Sequence, residues 1–181
     1  MSLHVRTLDN DTVVNVAQLL KEPVGAARIV EVHLDRFELD VDLTATDVEA
    51  NVRLTRVATG ILAEGQLSGT VELECVRCLE LYVQSFRGDI EGEFRPSVDV
   101  RTGIPLAPPP DNDIFVIDNN HELDLNELFR QVAVVSLPMR PVCREDCPGV
   151  VPVVEDEGDE ADGDESDERL AVLRKLLESG S

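Results

Sequence analysis

Two adjacent stretches decide the fold: VEANVRLTRV at residues 48–57 and GILAEGQLSGTVELECVRCLELYVQSF at residues 60–86. In the first, Val48, Ala50, Val52 and Leu54 alternate with Glu49, Asn51 and Arg53. A strict period of two puts the apolar set on one face of a strand and the polar set on the other. The second stretch continues in strand-length runs interrupted by Gly and by the tetrapeptide CVRC at 75–78. Upstream, RIVEVHLDRFELDVDL at 28–43 alternates well enough for one or two further strands. Consecutive alternating segments joined by short turns predict an antiparallel sheet with one wet face.

Helices are predicted at three places. Residues 12–21 allow a short one, with Asn15 as N-cap and Pro23 as its stop. The strongest pattern is LDLNELFRQVAVVSL at 123–137. There Asp124 and Glu127 have capping-box spacing, and Leu123 and Leu128 stand where a hydrophobic staple would sit. Leu125, Leu128, Phe129, Val132 and Val135 form the apolar stripe, and Pro138 ends the helix. The third is DERLAVLRKLLES at 167–179, with acids at its start, Arg174 and Lys175 near its end, and a leucine face. The expected fold class is therefore α+β: an antiparallel β-sheet core, a long capping helix towards the C-terminal side and a short terminal amphipathic helix. Residues 1–154 read as one domain, 155–168 as a disordered acidic linker and 169–181 as the short C-terminal helix. Between sheet and long helix, residues 96–113 carry three consecutive prolines and read as a connection.

Charge bounds the function. The 181 residues carry 37 acids against 16 bases, a formal net charge of -21. The run at 155–168 holds ten acids and no base, yet without it the remainder still stands at -11. With five Phe, one Tyr and no Trp, the chain lacks both a basic stripe and a base-stacking platform. Direct nucleic-acid binding is expected to be weak, and a basic protein suits such a surface better. The N-terminal residues have no cationic region followed by an apolar run, and no apolar stretch is long enough to span a bilayer, so the expected compartment is the cytoplasm.

The four cysteines carry the chemistry. Cys75 and Cys78 fall at a turn between two strands; Cys143 and Cys147 follow the long helix just past Pro138 and Pro141. Two pairs spaced C-x2-C and C-x3-C suit a structural tetrathiolate zinc site, one zinc per chain. Two other readings stand beside it: reduced thiols without metal, and a redox CxxC, which normally opens a helix in a βαβ setting. Arg77, Arg140 and Arg144 lie next to the thiols in sequence and are expected to lower their pKa values. No phosphate-binding loop, HExxH or G-x-S-x-G occurs, and His4, His33 and His121 are isolated, so no enzyme activity is expected.

Three passages, in this order, resemble the bacterial and plastid large ribosomal RNA subunit accumulation protein family (YceD): C-x-R-C-L at 75–79, D-L…L-P-M-x-P-x-C at 124–143, and R-L-A-V-L at 169–173. The resemblance extends over most of residues 25–177. It implies a non-enzymatic role in accumulation or maturation of large-subunit ribosomal RNA; together with the acidic charge, the expected partner is a basic ribosomal protein or the pre-ribosomal large subunit. Members commonly lie beside the gene of a small zinc-ribbon protein of the large subunit. Many relatives carry a further C-x2-C after the second pair, where this chain has Val151 and Val154. The alternative from charge alone is an acidic protein-binding module, a holder of a basic protein or a nucleic-acid mimic, with no direct RNA role.

Overall fold

The computed structural model describes residues 5–109 and 113–150. The readings of 155–168 as a disordered linker and of 169–181 as a terminal helix lie outside the described residues, as does the boundary at 154. Four long strands dominate: β3 (Ala27–Asp40), β4 (Leu43–Arg56), β5 (Ile61–Glu74) and β6 (Leu81–Pro96). They pair consecutively as an antiparallel meander. Val30, Val32 and Leu34 of β3, Val52 and Leu54 of β4, Ile61 and Leu67 of β5, and Ile90 and Phe94 of β6 are buried on one face. The alternating residues Glu31, Glu49, Glu64 and Asp89 are exposed on the other. The period of two in the sequence is thus realised as one dry and one wet face.

The sheet is mixed rather than antiparallel throughout, which corrects the expectation above. Its order is β1-β3-β4-β5-β6-β7. Both outer strands, β1 (Val5–Asp9) and β7 (Phe115–Ile117), run parallel to their neighbours. Each reaches its place through a crossover. Between β1 and β3 lie β2 (Val13–Asn15) and α1 (Ala17–Lys21); between β6 and β7 lies the proline-rich connection. The short β2 pairs with β8 (Glu122–Asp124) as a separate two-stranded ribbon.

The long capping helix is also corrected. The second helix, α2 (Asn126–Ser136), has 11 residues, about 16 Å at the α-helical rise, whereas the four central strands have 14 to 16 residues. The molecule is mainly β, with α2 as a plug rather than a lid. The helical pattern fails at its start because Leu123 and Asp124 are held in β8 and the Leu125 N–H donates to the Thr12 carbonyl. Glu127 does not reach back as a capping-box partner. Its carboxylate accepts from Arg130 and Gln131, while Asp124 accepts from the Asn126 N–H and the Thr12 hydroxyl. Nor does Val135 face the core: it is 85% exposed, and Ala133 takes that role with Leu128 and Phe129. On the sheet side, α2 comes close because β6 carries Gly88 and Gly92. A Cβ at Gly88 would lie 2.3 Å from Ser136 Oγ and 2.6 Å from Val132 Cγ1. The chain leaving α2 then turns at Pro138 and Pro141 towards the β5–β6 turn.

Candidate metal centre

The β5–β6 hairpin ends in register, Glu74 opposite Leu81, so residues 75–80 form its tip. The turn is tied by Cys75 N–H to the Glu80 carbonyl (2.9 Å) and by Leu79 N–H to the Cys75 carbonyl (2.9 Å), with Leu79 at a φ of 62°. Residues 141–150 are laced to this tip by backbone bonds. Val76 N–H donates to the Pro141 carbonyl (2.9 Å), and Val150 N–H donates to the Arg77 carbonyl (3.0 Å). Gly149, at a φ of 80°, turns the chain against that same Arg77 carbonyl. Within the segment, Cys147 N–H reaches the Arg144 carbonyl at 3.2 Å and closes the C-x3-C turn.

All four predicted ligands meet. Cys75, Cys78, Cys143 and Cys147 present their Sγ atoms within 4.8 Å of one another. Cys75 and Cys147 are 3.9 Å apart and buried; Cys78 and Cys143 are 3.8 Å apart and half-buried. All four are free thiols. A tetrahedral thiolate site with metal–sulfur bonds of about 2.3 Å has edges of about 3.8 Å. The cluster therefore has the donor type, number and spacing to hold a metal ion.

The electrostatics point the same way. Cys75 is lowered to about 6 because the N–H of Cys78, then those of Cys143 and Arg77, point at its sulfur and outweigh burial. The Cys143 N–H lies 3.4 Å from that sulfur. Cys143 is pushed up to about 12, first by burial and then by the thiols of Cys147, Cys75 and Cys78. For Cys78 the Glu80 N–H lowers the pKa, but burial together with Cys75 and Cys147 outweighs it and the net shift is upward. Cys75 ionises readily whereas Cys78 and Cys143 resist, as expected of sulfurs gathered without a cation; a divalent ion would remove that resistance.

The neighbouring arginines act differently from the expectation. The Arg77 guanidinium donates to the Glu145 and Cys147 carbonyls and so braces the two cysteine turns against each other; Arg144 pairs with Asp146 at 3.4 Å. Backbone N–H groups, not guanidinium charge, lower Cys75. Of the histidines, His33 stands on the wet sheet face 3.5 Å from Asp35, and the His121 carbonyl accepts the Val16 N–H. His4 lies outside the described residues. Sequence reasoning passed over Tyr82, which opens the β6 face next to the cluster. Its buried hydroxyl has no partner of good geometry among the described residues. Burial, followed by the charges of Cys75 and Cys143, raises its pKa. Nothing in the alternating pattern marks it except its being the single tyrosine.

A one-sided sheet whose hairpin tip shares a four-cysteine cluster with a distant segment defines a class of thiol-clasped β proteins. Comparison with known families gives the particular assignment: residues 63–177 match the family model described as large ribosomal RNA subunit accumulation protein YceD, and the chain belongs to that family. It is also similar to uncharacterized proteins of Mycobacterium bovis and of two strains of Mycobacterium tuberculosis. Each is 24% identical over 144 residues, covering 77% of this chain and 67% of the relative. No solved structure matches the chain. Neither described helix is long and apolar enough to cross a membrane.

Proposed function

We propose that the chain is a non-enzymatic factor supporting accumulation or maturation of large-subunit ribosomal RNA, clasped by one structural zinc on Cys75, Cys78, Cys143 and Cys147. Membership of the YceD family is the observation that carries the pathway. The gathering of four sulfurs within 4.8 Å supports the zinc. Four protein thiolates leave no open coordination position, so the ion would supply cross-linking and charge neutralisation, not Lewis-acid chemistry. This chain's own residues do the rest: backbone N–H groups steady Cys75, and Arg77 fixes the two cysteine turns.

Contact with the assembling subunit is through a basic protein. At a formal charge of -21 the phosphate backbone of RNA is repelled, whereas a cationic protein is attracted in a salt-sensitive way. The second reading, an acidic holder of a basic protein with no part in RNA accumulation, shares this surface. Gradient profiles of a depleted strain separate the two: a fall in large relative to small subunits supports the first, and unchanged ratios leave only the second.

A further inference from the structure

Among the described residues, the outer side of β6 has no strand neighbour over most of its length. β7 pairs only with Phe94, Arg95 and Pro96. Among the described residues, 81–93 have β5 on one side and no strand on the other. Among the described residues, no backbone group of 82–93 bonds to backbone outside β5. In an antiparallel strand alternate N–H and C=O groups point away from the paired neighbour, so a row of them here has no backbone partner among the described residues. The helix α2 covers the core face of β6 at Gly88 and Gly92. On the wet face the same strand exposes Leu81 and Val83 at 63% and 68%, followed by Ser85, Arg87, Asp89 and Glu91.

A second feature of this edge specifies charge. Glu91 stands directly opposite Glu64 in the ladder, both exposed, and neither forms an ion pair among the described residues. Glu64 has Arg53 opposite it on β4, whereas Glu91 has Glu64 as its one cross-strand neighbour among the described residues; like charges directly opposite are unfavourable, and a cation on an added strand beside Glu91 would relieve it. On the same row Asp89 adds a second negative charge and Arg87 one positive charge, so the row stays net acidic. Two copies of this chain would repel each other there, each carrying a formal charge of -21.

We propose that residues 81–93 of β6 take an extended, basic segment of a protein partner by strand addition. Its apolar side chains would lie beside Leu81 and Val83, and its lysines or arginines beside Asp89 and Glu91. This rests on the basic-partner reading above and names its surface.

Hydrogen exchange of the full chain, with and without a synthetic peptide of about ten residues alternating lysine and valine, tests it. Exchange is expected to slow within residues 82–93 when the peptide is bound. The double variant D89K/E91K should weaken peptide binding by roughly tenfold, while E31K/E49K, on the same wet face but away from the edge, should leave it within about twofold. Protection elsewhere on the chain would overturn the edge while leaving a basic partner standing. Equal weakening by both double variants would do the same. Absence of binding would remove both. Concentration-dependent protection of 82–93 without peptide would assign the edge to a second copy and overturn the proposal.

Discussion

Cys78 Sγ lies 3.8 Å from Cys143 Sγ although 65 residues separate them in the chain. The strand β6, the proline-rich connection, β7, β8 and α2 intervene. The contact therefore ties the tip of one hairpin to the segment that closes the described fold. Cross-linking at that distance removes freedom mainly from the unfolded chain.

The first expected outcome concerns metal. Elemental analysis of the native protein should give close to one zinc per chain, and Cys78→Ser should release it. A clasp across a gap of this length is worth about 3–5 kcal/mol by analogy with other cross-links. Chelation should lower the melting temperature accordingly; an unchanged melting temperature after complete removal would show that zinc has no structural role.

The packing of α2 sets a second. Phe129 is fully buried and Val135 is 85% exposed, though both fall in the apolar pattern of the same helix. Phe129→Ala should destabilise the fold by about 3–5 kcal/mol, and Val135→Ala by less than about 0.5 kcal/mol. Urea unfolding midpoints of the two variants check this; comparable losses would mean that α2 presents another face to the sheet.

Acid should loosen α2. Hydrogen bonds from Arg130, then Gln131, lower Glu127 from 4.5 to about 2. A depressed carboxylate pKa stabilises the folded state above the unfolded value, and that contribution is lost as pH falls from about 4.5 towards about 2. Both partners are 40–48% exposed, so solvent screening keeps the effect small. The stability difference between the parent and Glu127→Gln should shrink over that window; a difference constant with pH would assign it to something other than ionisation.

Tyr82 offers a fourth check. Tyr82→Phe keeps the ring and removes a buried hydroxyl that lacks a partner of good geometry among the described residues. Stability of the metal-free chain should rise by about 1 kcal/mol. Should it fall by a similar amount instead, the hydroxyl has a partner, and the Val142 N–H beside it would be the place to look.

Finally, depletion of the protein should lower mature large-subunit ribosomal RNA relative to small-subunit RNA, without a block in a metabolic reaction. Binding to naked ribosomal RNA should be weak and should not tighten with sequence. Tight, sequence-specific binding would overturn the mechanism while keeping the pathway.

Alternation at 28–43, 48–57 and 60–86 by itself set which residues share the buried face, because a period of two puts Val30, Val52 and Leu67 on one side of their strands; the consecutive pairing order is a finding of the tertiary structure. The CxxC and CxxxC spacings likewise marked all four members of the cluster. Three further things were decided only by the tertiary structure. The parallel edges β1 and β7 have 5 and 3 residues, too few to show a period, and their places depend on crossovers. The length of α2 was set from outside: pairing of β8 with β2 takes Leu123 and Asp124 out of the helix, and tertiary pairing overrides local propensity. The charge environment of Cys75 came from the N–H groups of Cys78, Cys143 and Arg77. These are directions in space that neighbouring arginines in the sequence do not reveal. Spacing names candidate ligands, but the direction of a backbone N–H exists only once the chain has folded around them.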